Sequence, residues 1–374
     1  VANRRDRGLD RFINPPAPDR SSHRAGRVLA PSARATALRP VAEPRTTRHA
    51  ARPPATSHPL PLRVYLLLAI TFGAAVLGVR ALGRRPHGGS SEAASAGAVA
   101  AQGAAAASAP ASWVDPAVVQ RYQAQLSGLL AGRDGKYGFV ALDLTTGVAL
   151  LNDADTQYRA ASVNKLPIVI DLYRRAAAGQ IDLDATTAIA DDEIQHYGTG
   201  TIQSQGSGQV YSYRDLAKLA IEESDNTAAF VLGKRLGLDS VQADLQSWGL
   251  KATSLVDNLT TARDAAVLLS LLQQHKLLSA AATNEVLAFM QNTVWTDRLQ
   301  SGVPATIPVA HKIGTDVDVF NDAAIFLAPV HPYIAVALGS GVGEDDGNAT
   351  LTALSRLVYQ FEAALPAATH QTHH

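Results

Sequence analysis

The chain has no cysteine, so no disulfide framework holds it together, and a body large enough to have its own core needs none. Lysine is missing from residues 1–85, which carry 16 arginines against four acidic residues. Residues 86–374 carry 10 arginines and seven lysines against 29 acidic residues, so a front of +12 and a body of −12 cancel to zero. An Arg- and Pro-rich segment with few large apolar residues cannot bury enough surface to fold alone, which predicts disorder over 1–59. The eleven histidines show no paired metal-ligand spacing, and His370, His373 and His374 fall in a loose tail expected over 367–374. No metal and no cofactor is implied, and no internal repeat is visible.

One long apolar run is present, inside "LPLRVYLLLAITFGAAVLGVRALGRRP" (60–86). Its 16 uncharged residues, 64–79, reach about 24 Å as a helix. That is short of the ~20 residues a bilayer asks for, but Arg63 and Arg80 can snorkel and extend it. A buried core helix and a cleaved leader are the alternatives. The flanking arginines oppose the first, and an n-region more than 60 residues long opposes the second. Thirteen arginines precede the span and three follow closely. The positive-inside bias therefore predicts a single-pass cell-membrane anchor over 60–82, a cytoplasmic tail over 1–59 and an extracytoplasmic body. The basic tail reads as a topology and lipid-surface signal. A nucleic-acid module would instead bind DNA with a steep salt slope. Residues 83–112, rich in Ala, Gly and Ser, read as a linker, and the folded unit is expected over 113–366, from Trp113 to Pro366.

Within that unit, "DPAVVQRYQAQLSGLLAGRDG" (115–135) has helical spacing, and "YGFVALDLTTGVALLND" (137–153) reads as a hairpin. Helices are expected at 162–178, 214–222, 225–236, 239–248, 261–275, 279–292 and 349–364. Strand-like runs return at 306–314, 319–329 and 333–340. Strands at both ends with helices between predict an α+β fold: one antiparallel sheet from the two ends and an inserted helical lobe.

Three local patterns carry chemistry. In "RAASVNKLPIVIDLY" (159–173), Ser162 and Lys165 stand three residues apart at the start of an apolar helix. Side chains at i and i+3 share a helix face, so hydroxyl and amine can meet. A lysine whose pKa is lowered by burial or nearby positive charge can activate a serine. Equally, this could be a surface lysine after a serine cap. "IEESDNTAAF" (221–230) places Ser224, Asp225 and Asn226 before a helix, where they also suit a turn and N-cap. "VAHKIGTDVDVF" (309–320) ends a strand with Lys312, Ile313, Gly314 and Thr315, otherwise an ordinary charged strand end. His311 beside Lys312 reads as a local electrostatic or packing residue.

S-x-x-K, then S-D-N, then K-x-G resembles the motif set of class A β-lactamases and penicillin-binding proteins. The resemblance runs from about Trp113 to Pro366, and "TGTIQ" (199–203), "LTTARDAAVLL" (259–269) and "NTVWTDRLQSGVP" (292–304) are similar to family segments. It implies a β-lactamase-like fold and a serine hydrolase acting on β-lactams or D-Ala-D-Ala-like cell-wall peptides. It further implies that Ser162 is acylated, Lys165 helps deprotonate it and Ser224 relays a proton to the leaving nitrogen. Asn226 would hold the substrate side-chain amide, and Lys312 with Arg298 would attract the substrate carboxylate. Backbone N–H groups of Ser162 and Thr315, past Gly314, would form the oxyanion hole. Tyr197 either lines the cleft or packs as an ordinary aromatic.

Two departures stand out. Ile313 occupies a position where the family carries a hydroxyl. No glutamate occurs from Asn226 to Asn284, where class A enzymes carry the base for a deacylating water. Asp257 is the nearest carboxylate, with a poor match. The implied outcome is acylation with slow deacylation: a β-lactamase, a penicillin-sensitive D,D-peptidase, or a penicillin-binding sensor without efficient turnover.

Overall fold

The computed structural model describes residues 114–366. The tail over 1–59, the apolar span over 60–82, the linker over 83–112, Trp113 and the segment 367–374 lie outside the described residues. Among the described residues, no helix is long and apolar enough to cross a membrane.

Helix α1 (Pro116–Ala131) starts where Asp115 accepts a hydrogen bond from the Ala117 N–H at 2.8 Å, with proline in the first turn. Strands β1 (Lys136–Asp143) and β2 (Ala149–Asn152) form the expected hairpin. The lobe follows: β3 (Tyr158–Arg159), a 3-10 turn (Ala161–Asn164) and α2 (Lys165–Ala177). Next come β4 (Thr186–Ala188), α3 (Ile202–Gln205), β5 (Val210–Ser212), α4 (Tyr213–Glu222), α5 (Asn226–Leu236) and α6 (Leu238–Ser247). The lobe closes with β6 (Leu259–Thr260), α7 (Ala262–Gln273) and α8 (Ala280–Gln291). Helices α4, α5, α7 and α8 begin on Ser212, Asp225, Thr261 and Ser279, each accepting a backbone N–H in its first turn. The chain returns through β7 (Val309–Asp316), β8 (Val319–Phe326) and β9 (Tyr333–Ser340) to α9 (Glu344–Ala364).

The sheet order is β2-β1-β9-β8-β7 and every pairing is antiparallel, so the two ends of the domain meet where β1 pairs with β9. Alternation along the strands divides the apolar residues between two cores. Val140, Ala323, Ile325, Ile334, Val336 and Leu338 face the helical lobe. Phe139, Ala141, Phe320, Phe326, Tyr333 and Ala335 pack with Leu126 of α1 and Leu351, Val358 and Phe361 of α9. An α+β fold with an inserted lobe is therefore what the structure shows.

The structure differs from the sequence-based expectation at several points, among them the return strands, which run Val309–Asp316 and Val319–Phe326 rather than 306–314 and 319–329. Ser162 lies not in the helix but in the 3-10 turn before it. Helix α9 begins at Glu344 rather than 349; Glu344, Asp345 and Asp346 suit the positive end of a helix dipole, although "GEDDG" reads locally as a turn. The two-stranded pairs β3–β6 and β4–β5 were not expected, because two or three residues carry no periodic signal.

Candidate active site

The Ser162 turn is held from two sides. Ala161 adopts φ +47°, a conformation costing roughly 1–2 kcal/mol for a residue with a Cβ, and its surroundings fix it there. The Ala160 N–H donates to Asn258 O at 2.9 Å. The Ala160 carbonyl accepts from Asn321 Nδ2 at 3.1 Å, and Asn321 also holds Arg159 O at 2.8 Å. Strand β7 is one of the two edge strands of the sheet and presses on this turn. A Cβ on Gly314 would stand 2.5 Å from Ala160 O and 3.2 Å from Val163 Cγ2, so only glycine permits the approach. An edge strand leaves alternate backbone N–H groups outside the ladder, and here that edge borders Ser162.

Lys165 is buried at 3% exposure in the first turn of α2. Its amine reaches the Ser-Asp-Asn turn: Nζ is 2.5 Å from Ser224 O, 2.6 Å from Asn226 Oδ1 and 3.2 Å from Ser224 Oγ. These are the contacts of the amine in this structure, rather than one to the Ser162 hydroxyl. Burial lowers the Lys165 pKa to about 7, with Asp225 opposing the shift. A neutral amine has two donors and one lone pair, so it can donate to Ser224 O and Asn226 Oδ1 while accepting a proton from a hydroxyl.

Ser224 itself is left-handed, at φ +53°. Its carbonyl accepts from Thr199 Oγ1 at 2.7 Å as well as from Lys165, and Asn226 N donates to Thr199 O at 3.1 Å. The "YGTGT" loop (197–201) thus clasps the turn. Tyr197 is half-buried, its carbonyl accepting from Asn226 Nδ2 at 2.9 Å and its hydroxyl 3.1 Å from Gln195 Oε1.

The third motif adds a pair of buried cations. Lys312 is fully buried, 3.2 Å from Ile313 O and 6.0 Å from the centre of the Trp295 ring. Burial lowers its pKa well below the usual value, with Lys165 and Arg298 adding repulsion. Arg298 stacks 3.7 Å over Phe320 and donates to Gly314 O at 3.0 Å and Asn321 O at 2.7 Å. Its other terminal nitrogen is 2.5 Å from Thr315 Oγ1. Ile313 is buried, whereas Thr315 is exposed, so the hydroxyl at this strand end belongs to Thr315. His311 points into a buried network: Nδ1 is 3.0 Å from Asp322 Oδ1, and Nε2 is 3.0 Å from Gln300 Oε1.

Residues 248–261 connect α6 to α7. Asp257 is exposed in a turn closed by Ser254, with Ser254 Oγ 2.9 Å from its carboxylate. The residue reaching inward is Asn258, buried at φ +52°, whose Oδ1 accepts from Asn164 Nδ2 at 3.1 Å. Asn164, Asn258, Asn321, Thr199 and Trp295 were not anticipated from sequence. Only Asn321 left a signal there: a polar pair, Asn-Asp, in the apolar strand "VFNDAAIF" (319–326).

The three motifs thus meet at one place between lobe and sheet edge. The comparison with known proteins agrees. A family model described as the β-lactamase enzyme family matches residues 121–361. No curated protein matches the chain. Among solved structures, PBP-A is similar at 28% identity and TM-score 0.61, over 64% of this chain and 95% of that one. A PBP-A mutant in acyl-enzyme complex with penicillin G is similar at 28% identity and TM-score 0.62, over 64% and 96%. An ancestral class A β-lactamase is similar at 25% identity and TM-score 0.61, over 64% and 99%. With the family model spanning more than half of its length and its three motifs gathered in one place, this chain belongs to the β-lactamase enzyme family.

Proposed function

We propose that this chain is a serine acyl-enzyme hydrolase that opens β-lactams or D-Ala-D-Ala-like cell-wall peptides through Ser162. The observation that carries the reading is the buried Lys165 amine, held at the Ser-Asp-Asn turn with its pKa lowered to about 7. In acylation, the neutral amine takes the Ser162 proton as Oγ attacks the carbonyl carbon. Negative charge develops on the carbonyl oxygen, opposite the backbone N–H groups of Ser162 and Thr315; losing one such donor typically costs ~10²–10³ in rate. Ser224, 3.2 Å from the amine, passes that proton to the leaving nitrogen as its bond to carbon breaks. Lys312 and the Arg298–Thr315 pair attract the substrate carboxylate, with Thr315 supplying the hydroxyl that Ile313 lacks. Asn226 and Tyr197 border the substrate's acyl side chain.

Deacylation is the slow step in this reading. No glutamate occurs from Asn226 to Asn284, and the buried polar residue beside Asn164 is Asn258, whose amide cannot take a proton from water. A missing general base costs typically ~10²–10⁴ in rate. This favours a penicillin-sensitive D,D-peptidase or a penicillin-binding sensor over an efficient β-lactamase, and the penicillin G acyl-enzyme complex of the PBP-A mutant is in keeping with it. The test is labelling with a fluorescent penicillin: the parent chain labels and Ser162→Ala does not. Equal labelling of the variant would move the nucleophile elsewhere. The apolar run at 60–82 supports a membrane tether with the catalytic unit extracytoplasmic. Recovery of the full chain in the soluble fraction would remove that part.

A further inference from the structure

On the α9 side of the sheet, away from the three motifs, three titratable side chains come together. Asp143 ends β1, His331 lies in the loop between β8 and β9, and Glu362 belongs to α9. Each offers one donor atom, and the three atoms all lie within 4.8 Å of one another. The residues are 0%, 5% and 4% exposed.

Their hydrogen bonding is incomplete. Asp143 Oδ1 accepts the Thr145 N–H at 2.9 Å and the Thr146 N–H, and Asp143 Oδ2 is 3.0 Å from His331 Nδ1. His331 Nε2 and the hydroxyl of Tyr333, the β9 residue paired with Asp143, have no hydrogen-bond partner among the described residues, and the Glu362 carboxyl faces only the Asp143 carboxylate there. Folded chains leave few buried polar atoms in that condition. No lysine or arginine forms an ion pair with either carboxylate among the described residues; His331 is the one such partner of Asp143. Two buried carboxylates, an imidazole with a free nitrogen and no opposing cationic side chain make a donor set that a cation would complete.

We propose that Asp143, His331 and Glu362 form a binding site for a divalent transition-metal ion of the Zn2+ type. One oxygen from each carboxylate and one imidazole nitrogen would bind at about 2.0–2.2 Å, and donors already this close need little movement to converge. Calcium and magnesium are disfavoured, since they take six or more oxygen ligands and little imidazole. The ion neutralises the two carboxylates and joins the end of β1, the β8–β9 loop and α9, segments far apart in the chain. Its effect is on stability, because the cluster is remote from Ser162. Entry is through the loop carrying His331, whose neighbour Val330 is 58% exposed.

The test uses the full chain with His370→Ala, His373→Ala and His374→Ala, so that tail histidines do not compete for metal. After chelator treatment, Zn2+ is added and followed by native mass spectrometry, calorimetric titration and thermal melting. The site predicts one ion per chain, a raised melting temperature and at least ~10-fold weaker binding in Glu362→Gln and in His331→Gln. Circular dichroism establishes that each variant is folded, and if one is not, the other decides. No retained ion, or unchanged affinity in the folded variants, overturns the proposal.

Discussion

Two buried clusters of ionisable groups lie against different parts of this sheet, one basic and one acidic. At the β7 edge, Lys165, Lys312 and Arg298 are 3%, 0% and 3% exposed. On the α9 face, Asp143 and Glu362 are buried as deeply, with His331 paired to Asp143. Burial drives both sets toward neutrality: it lowers Lys165 to about 7, and it raises Glu362 to about 10, with Asp143 reinforcing that shift. Burying like charges together is costly in a domain with two apolar cores to draw on. A folded chain that keeps such a set points to a ligand of opposite charge. The cationic set suits a substrate carboxylate and a developing oxyanion; the acidic set suits a metal ion.

That comparison is broken most directly at Lys165. Lys165→Ala is expected to slow penicillin labelling by ~10²–10⁴ while the chain stays folded. In the parent, the labelling rate rises as pH passes through about 7, because the amine must be neutral to accept the serine proton. Above that pH it levels off. A rate flat between pH 5 and 9, or normal labelling of the variant, would make Lys165 structural only.

A smaller effect is expected from the glycine that lets the edge strand reach the nucleophile. In Gly314→Ala the new methyl would stand 2.5 Å from Ala160 O, so the strand or the turn must shift. Overpacking of this kind costs about 1–3 kcal/mol, and it should lower both the melting temperature and the labelling rate. If stability falls while labelling is untouched, the strand does not position Ser162. The smallest effect is expected from Thr315→Val, which removes the hydroxyl beside Arg298. One hydrogen bond is worth about 1 kcal/mol, so capture of a substrate carboxylate should weaken roughly fivefold. No change in labelling at low penicillin concentration would leave the carboxylate to Lys312 and Arg298 alone.

The two clusters also differ in how far the sequence discloses them. Ser162 and Lys165 are three residues apart, Ser224 and Asn226 two, and Lys312 to Thr315 form one strand end, so each piece is visible locally. Their convergence follows from an α+β layout that the order of strand-like and helical runs already implies. Asp143, His331 and Glu362 sit on a strand end, a loop and a helix, and no spacing rule connects them. The same holds for Asn258 and Asn321, whose work is to fix Ala160 from opposite sides; each is a polar residue whose partner is chosen by tertiary packing. The 3-10 turn that holds Ser162 was equally hidden, since it begins at the left-handed Ala161, whose neighbour those contacts fix.

The most direct test of the account is intact mass of the chain over time after mixing with a penicillin. The account predicts an adduct of one penicillin on Ser162 that long outlives its formation, because Asn258 supplies no base for deacylation. An adduct that vanishes as fast as it forms, with the drug consumed, would contradict the slow step. Absence of any adduct would contradict the acyl-enzyme reading itself.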